Sequence, residues 1–344
     1  MKVAVDARHL AAGRGVAEYT RGMVGALAEA SGTGDEIRLF APGGGVAPAG
    51  VAVVGHRLPS RAIFGSATLL GRPRLDRLAG GDPDVVWAPA PAPLAVSPDV
   101  PFVLTVHDLS WIERPGDFTR YERLWHAAGR LNRLAQRADR VVVDAWATIA
   151  PLVRWGVDPD RVRVVAPGVP ERTATQLPPG VPDRYVLFVG ALEPRKDPEL
   201  LLRADPDIDV VFAGAGRLAK KLTGPRTHVF ANLTSGELGA LYANALALVL
   251  PSRLEGFGFP PLEAALHGTP SIVTDLPVYA ETLGDAAIRI PPGDTRALSD
   301  AIATLTGDDA ARRELGARAK ERAERFTWAS AGAGLRAVLD EATR

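Results

Sequence analysis

The chain of 344 residues contains no cysteine and no surplus of either charge sign, its 40 basic residues facing 40 acidic ones. Without cysteine there can be no disulfide, no thiolate metal site and no cysteine nucleophile, and the composition fits a reducing compartment. The balanced charge excludes recruitment of nucleic acid or a membrane by the long-range field of the whole molecule, so any such binding needs a local patch. No apolar run approaches the roughly 20 residues of a membrane-spanning helix. The opening "MKVAVDARHL" reads as a strand rather than a secretory leader, because an aspartate interrupts an apolar stretch too short for one. A cytoplasmic protein with no nucleic-acid partner is expected.

What the sequence does contain is a rhythm of short β-rich runs followed by amphipathic helical stretches. The runs are "KVAVDA", "EIRLFA", "VAVVGHRL", "DVVWAP", "PFVLTVH", "RVVVDA" and "RVRVVAPG", then "RYVLFVG", "DVVFAGAG", "HVFAN", "ALALVLPS", "PSIVTD" and "AAIRI". Near-continuous Val, Ile and Leu, rather than alternation, mark strands covered on both faces, hence parallel sheets of an α/β fold. Between the two sets lies "PERTATQLPPGVPD", whose prolines and lack of periodicity predict a linker. The expected organisation is a Rossmann-like domain over 1–170, a linker over 171–183, a second such domain over 184–325, and a terminal helix over 326–344 packing back on the first. Ligands of open α/β sheets bind outside the carboxyl ends of the strands, so two such domains facing each other would form a cleft.

The richest strand end is "SRLEGFGFPPLEAALHG", residues 252–268, a strand-to-helix turn with Glu255 in the loop and Glu263 expected in the first helical turn. Gly256 and Gly258 allow close backbone approach or positive φ, and Pro260 and Pro261 suit a helix start. A helix start favours an anion by about 0.3–2 kcal/mol, and carboxylates accept hydrogen bonds from hydroxyls. A sugar or ribose beside a phosphate would satisfy both features. Glu263 complementing the helix dipole beside an ordinary tight turn is the competing reading. In "VLFVGALEPRKDPELLL", Arg195 and Lys196 follow a strand directly. Two adjacent cations there can clamp a diphosphate with charge-assisted bonds of roughly 1.5–3 kcal/mol each, or simply form a solvated pair.

Together, "VGALEPRKD", the stretch from Tyr242 to Asp275 and the N-terminal "GRGVAEYTRGM" resemble the retaining nucleotide-sugar glycosyltransferases of family 4, over nearly the whole chain. The resemblance implies the GT-B fold, two Rossmann-like domains facing across a cleft. It implies transfer of a hexose from a nucleotide-diphosphate sugar, the co-substrate, to an acceptor hydroxyl, with no cofactor. Lys196 matches the lysine that binds the donor diphosphate, with Arg195 beside it in an "EPRK" variant where many relatives carry an arginine at the position of Ala191. Glu263 matches a ribose-hydroxyl acceptor. Glu255 matches the glutamate near the transferred sugar, with Phe257 and Gly258 offering backbone N–H groups to sugar and phosphate. Gly214 and Gly216 resemble the nucleotide-side loop, and Leu233 lies in the region bordering the base. In the first domain, His107 of "VLTVHDLSW" matches a histidine beside the donor sugar, although a lone histidine is more often structural. Gly13 and Gly15 form the loop after the first strand, near the donor phosphate and the acceptor. Glu18 stands where a dinucleotide fingerprint needs its third glycine, which speaks against an oxidoreductase.

Three "DPD" triplets, starting at Asp82, Asp158 and Asp205, are assigned to turns, and no metal is expected. Residues 120–140 predict an amphipathic helix, with Leu124, Ala127, Ala128, Leu131, Leu134, Ala135 and Ala138 on one arc and Arg123, His126, Arg130, Arg133, Arg137 and Arg140 on its flank. Such a helix packs on the sheet with a hydrated flank, or rests peripherally on the inner membrane face. Asp144 is expected to cap a helix, with contact to an amino or hydroxyl-rich acceptor as the alternative. The acceptor is a carbohydrate, a lipid-linked sugar or a small molecule. A weakly active nucleotide-sugar-binding subunit is the reading from another class, and an epimerase or phosphorylase of the same fold a lesser one.

Overall fold

The computed structural model describes residues 1–12, 15–42, 51–55, 65–67 and 70–344. The chain divides into two compact units, Met1–Gly168 with Phe326–Arg344, and Val169–Arg325.

Unit 1 carries β1 (Lys2–Asp6), β2 (Glu36–Phe40), β3 (Ala52–Val54), β4 (Val85–Ala88), β5 (Phe102–Thr105), β6 (Arg140–Val143) and β7 (Val162–Val164). Among the described residues these form one sheet in the order β3-β2-β1-β4-β5-β6-β7, every pair parallel. Unit 2 carries β8 (Tyr185–Val189), β9 (Asp209–Ala213), β10 (Thr227–Phe230), β11 (Ala247–Leu250), β12 (Ser271–Thr274) and β13 (Ile288–Ile290). Their order is β10-β9-β8-β11-β12-β13, again all parallel. All of these strands fall within runs read from the sequence except β10, which starts one residue before "HVFAN". Each β4, β5, β11 and β12 residue is buried, as expected of parallel strands with helices on both faces. Val86, Phe102, Leu104 and Val141 anchor the unit 1 core; Tyr185, Leu187, Val211, Leu241 and Leu248 anchor that of unit 2.

Strand order reverses once in each sheet, between β1 and β4 and between β8 and β11. At such a switch point the flanking loops diverge and open a crevice at the carboxyl ends. In unit 2, the loops that leave β8 and β11 contain Lys196 and Glu255.

The terminal helix Trp328–Ala342 belongs to unit 1 and lies against helix Val16–Glu29. Gly332 lets the two backbones meet, since an added Cβ would collide with the Ala26 carbonyl. Arg163 Nε bonds Glu341 at 2.9 Å, and Arg336 pairs with Asp35. In unit 2, Thr175 N donates to Gly236 O at 3.1 Å, so residues 171–175, read as the start of a linker, are fastened to helix Ser235–Asn244.

One expected element differs. The predicted helix over 120–140 is two helices, Arg120–Ala128 and Leu131–Arg137, separated by Arg130 in the left-handed conformation at φ 48°. Leu131, Leu134, Ala135 and Ala138 are buried, whereas Leu124 is 69% exposed, so the arc does not continue through the break. Arg137 is no hydrated flank either, because it donates to the Ser97 carbonyl at 2.6 Å and lies over the Phe102 ring. The "DPD" triplets occur at turns: Asp158 accepts from Asp160 N at 3.0 Å, and Asp82 and Asp205 adopt φ 44° and 42°.

Candidate functional site

The loop after β8 ends in a tight turn, Pro194–Lys196, whose proline occupies the first position where no N–H is needed. Asp197 follows in the left-handed conformation and is 3% exposed. Its carboxylate holds Arg203 at 3.1 Å and Arg253, on the loop after β11, at 2.9 Å. Arg253 N also donates to Arg195 O at 2.8 Å. The two switch-point loops are therefore stitched together by backbone and side chain.

Within this stitching Lys196 Nζ donates to Glu255 Oε1. The side chains of this pair are 10% and 7% exposed. Ser252 Oγ donates to the same oxygen at 2.6 Å, an interaction the sequence reading did not include. Tyr279, fully buried, borders the pair. Burial first, then the Glu255 carboxylate, pushes its phenol well above the ordinary tyrosine value, so it stays protonated. Its hydroxyl makes no hydrogen bond of good geometry, which leaves a buried donor facing the pair. Arg195 has no ion-pair partner among the described residues.

The turn between Glu255 and the next helix depends on Gly258, which adopts φ 88° and would place a Cβ 2.5 Å from the Tyr279 ring. Gly256 and Phe257 are buried before it, and the Phe257 ring packs on Phe259 with centroids 5.1 Å apart. Helix Phe259–Leu266 starts with Gly258 as its cap, a residue with no side chain of its own to close the first turn. Glu263 was expected in that turn; it lies one residue beyond it, out of reach of a dipole-complementing role. Arg172 instead grips it through two bonds, Nε to Oε2 at 2.9 Å and Nη2 to Oε1 at 2.8 Å. Tyr242 Oη donates to Oε2 at 2.8 Å.

Gly214 and Gly216 have a packing role, because Cβ atoms there would strike the Gly190 and Leu192 carbonyls of the loop after β8. Leu233 packs against the unit 2 core. Gly15 caps helix Val16–Glu29 at φ 64° with open space around it. Gly13 lies outside the described residues.

In unit 1, His107 follows β5 and Asp144 follows β6. Asp144 caps no helix, contrary to expectation: its Oδ2 lies 2.7 Å from His107 Nδ1, because adjacent parallel strands bring their ends together. Burial pulls the imidazole pKa down, but the Asp144 charge and hydrogen bond outweigh it, with smaller contributions from Asp108 and the Pro89 carbonyl, so the net direction is up. Tyr19 stands edge-on to the ring at 4.4 Å. His107 Nε2 and Asp144 Oδ1 are buried without a hydrogen bond of good geometry. Arg8 pairs with Asp6 at 2.7 Å after β1.

Arg172, Ser252, Tyr242 and Tyr279 are the residues the sequence reading left out of the site, and Asp144 was given a cap with acceptor contact only as the alternative. For Asp144 the signal was available, since it ends the strand beside that of His107. Arg172 lies in a stretch without periodicity, and nothing local marks it.

Among the described residues, no cluster of three or more His, Asp or Glu is arranged to hold a metal ion, and no helix is long and apolar enough to cross a membrane. The sequence model of the family described as Glycosyltransferase Family 4 matches residues 13–172, and that of Glycosyl transferases group 1 matches residues 171–322. The chain is 31% identical over 250 residues to the D-inositol 3-phosphate glycosyltransferase of Corynebacterium efficiens, covering 61% of this chain and 58% of that one. It is 30% identical over 301 residues to the protein of the same name from Kineococcus radiotolerans, covering 71% and 68%. The chain thus spans about three fifths of the length of the first of these curated relatives. Its fold is similar to that of Anabaena Alr3699/HepE, solved in complex with UDP-glucose, with TM-score 0.72, 17% identity, and coverage of 99% and 100%. The fold and the matches define the GT-B class, two Rossmann-like domains. The chain belongs to glycosyltransferase family 4.

Proposed function

We propose that the chain is a retaining, metal-independent glycosyltransferase that moves a hexose from a nucleotide-diphosphate sugar to an acceptor hydroxyl. The observation that carries this reading is the meeting of Lys196 with Glu255 at the switch point of unit 2, beside a helix start whose cap residue is the glycine Gly258. Names of relatives and the UDP-glucose held by a protein of similar fold support it.

As the glycosidic bond breaks, negative charge grows on the leaving diphosphate. Lys196, Arg195 and the backbone around Gly258 are the preorganised groups that would stabilise it. Lys196 then exchanges Glu255 for phosphate oxygens. Glu255, held by Lys196 and Ser252, orients the sugar rather than acting as a nucleophile, because a carboxylate already accepting hydrogen bonds is a weak one. The leaving phosphate takes the acceptor's proton as the acceptor attacks from the same face, which retains configuration. His107, with Asp144 behind it, hydrogen-bonds a sugar hydroxyl through Nε2. Glu263 receives the nucleotide ribose. The relatives' names make a phosphorylated cyclic polyol the first acceptor class to try, with carbohydrate and lipid-linked acceptors after it. Cytoplasmic action fits the cysteine-free composition.

A thermal-shift screen across UDP, GDP, ADP and TDP sugars tests this reading, because a ligand that binds only the native form raises its melting point. One donor class is expected to stabilise the protein and to release its nucleotide when acceptor is added. No shift with any donor refutes the reading, and binding without release makes the chain a binding subunit.

A further inference from the structure

Resting on the proposal that Glu263 receives the ribose, we infer that Arg172 sets how much of that ribose is read. An ionised carboxylate offers about four lone-pair sites. Three are filled on Glu263: Arg172 takes one on each oxygen and Tyr242 Oη takes the second on Oε2. One site remains, on Oε1. A ribose presents two adjacent hydroxyls, and a glutamate with free oxygens can accept from both. Here it accepts from one.

The Arg172 grip is built into the fold. Its backbone carbonyl is wedged against helix Ser235–Asn244, where a Cβ on Gly239 would approach it to 2.6 Å. Thr175 N donates to Gly236 O at 3.1 Å three residues on, and Arg172 Nη1 reaches Ser235 Oγ at 3.3 Å. The Arg172 and Glu263 side chains are 11% and 5% exposed. Withdrawing the guanidinium would leave a buried carboxylate held by a single phenol, an outcome that strongly disfavours release on nucleotide binding. Arg172 is therefore a specificity-determining residue, and donors lacking one ribose hydroxyl are accepted like their ribonucleotide counterparts.

Calorimetric titration of the full chain with UDP, ADP and GDP identifies the nucleotide that binds, and its 2′-deoxy and 3′-deoxy forms are then compared with it. The expected result is asymmetric. One monodeoxy form binds within about threefold of the parent, and the other binds at least about tenfold more weakly, the size of one lost charge-assisted hydrogen bond. If both are tenfold weaker or worse, both hydroxyls are read and the inference is overturned, while the assignment of Glu263 to the ribose stands. If neither weakens, or no nucleotide binds, that assignment fails and the inference falls with it. Arg172→Lys keeps the charge but holds fewer carboxylate sites, so the tolerated deoxy form should now lose about tenfold against the parent. An unchanged ratio in this variant removes Arg172 as the determinant.

Discussion

Replacing Lys196 by Met separates the two roles that the structure gives this lysine. It neutralises Glu255, with both side chains at or below 10% exposure. Removing one member of a buried ion pair costs about 3–5 kcal/mol, because the other charge is left uncompensated. Ser252 Oγ still donates to Glu255 at 2.6 Å, which places the expected loss near the low end, about 3 kcal/mol. At about 2–4 °C per kcal/mol for a domain of this size, unit 2 should melt about 6–12 °C earlier. The double variant Lys196→Met/Glu255→Gln removes both charges and should recover most of that loss. Donor binding behaves differently. Each variant lacks the cation for the diphosphate, so both should bind nucleoside diphosphate about 10- to 100-fold more weakly, the size of one charge-assisted hydrogen bond. Differential scanning calorimetry and isothermal titration on the three proteins read the two effects independently. A Lys196→Met protein as stable as wild type, or one that binds nucleotide equally well, would refute the reasoning.

Two further perturbations address unit 1. The raised pKa of His107 means that its pair with Asp144 stabilises the fold fully below the unfolded histidine value near 6.5 and that this stabilisation is lost as pH climbs through the folded value. Asp144→Asn should be less stable than wild type below that window, with the difference shrinking as pH rises through it, and should lower the His107 midpoint in an NMR titration; an unmoved midpoint contradicts the pairing. Gly332→Ala should destabilise unit 1 by about 1–3 kcal/mol, because the new methyl meets the Ala26 backbone carbonyl, which cannot turn aside. An unchanged melting temperature would show that the two helices are not in that contact.

Both sheets were legible because parallel strands buried on two faces leave uninterrupted Val, Ile and Leu, and such runs as "YVLFV" and "ALVL" became β8 and β11. The placement of Lys196 and Glu255 at strand ends followed from the same signal. Side-chain partners were not legible where they are distant in sequence. Arg172 and Glu263 stand 91 positions apart, and neither neighbourhood announces the other. Asp144 was noticed and given a local role, yet the cross-strand neighbour His107 took its carboxylate. The helix over 120–140 was read as continuous from its apolar spacing alone, but Arg130, after Gly129, adopts the left-handed conformation and divides it.

On the proposed function, a diphosphate is expected to be gripped at the unit 2 switch point by protein cations and amides. A crystal structure of the chain with its preferred nucleoside diphosphate, grown with magnesium present, measures this directly. Phosphate oxygens within hydrogen-bond reach of Lys196 Nζ and of the backbone at Gly258, with no ion between them, is the predicted result. A diphosphate lodged away from Lys196, or bound to the protein through magnesium, would contradict the account.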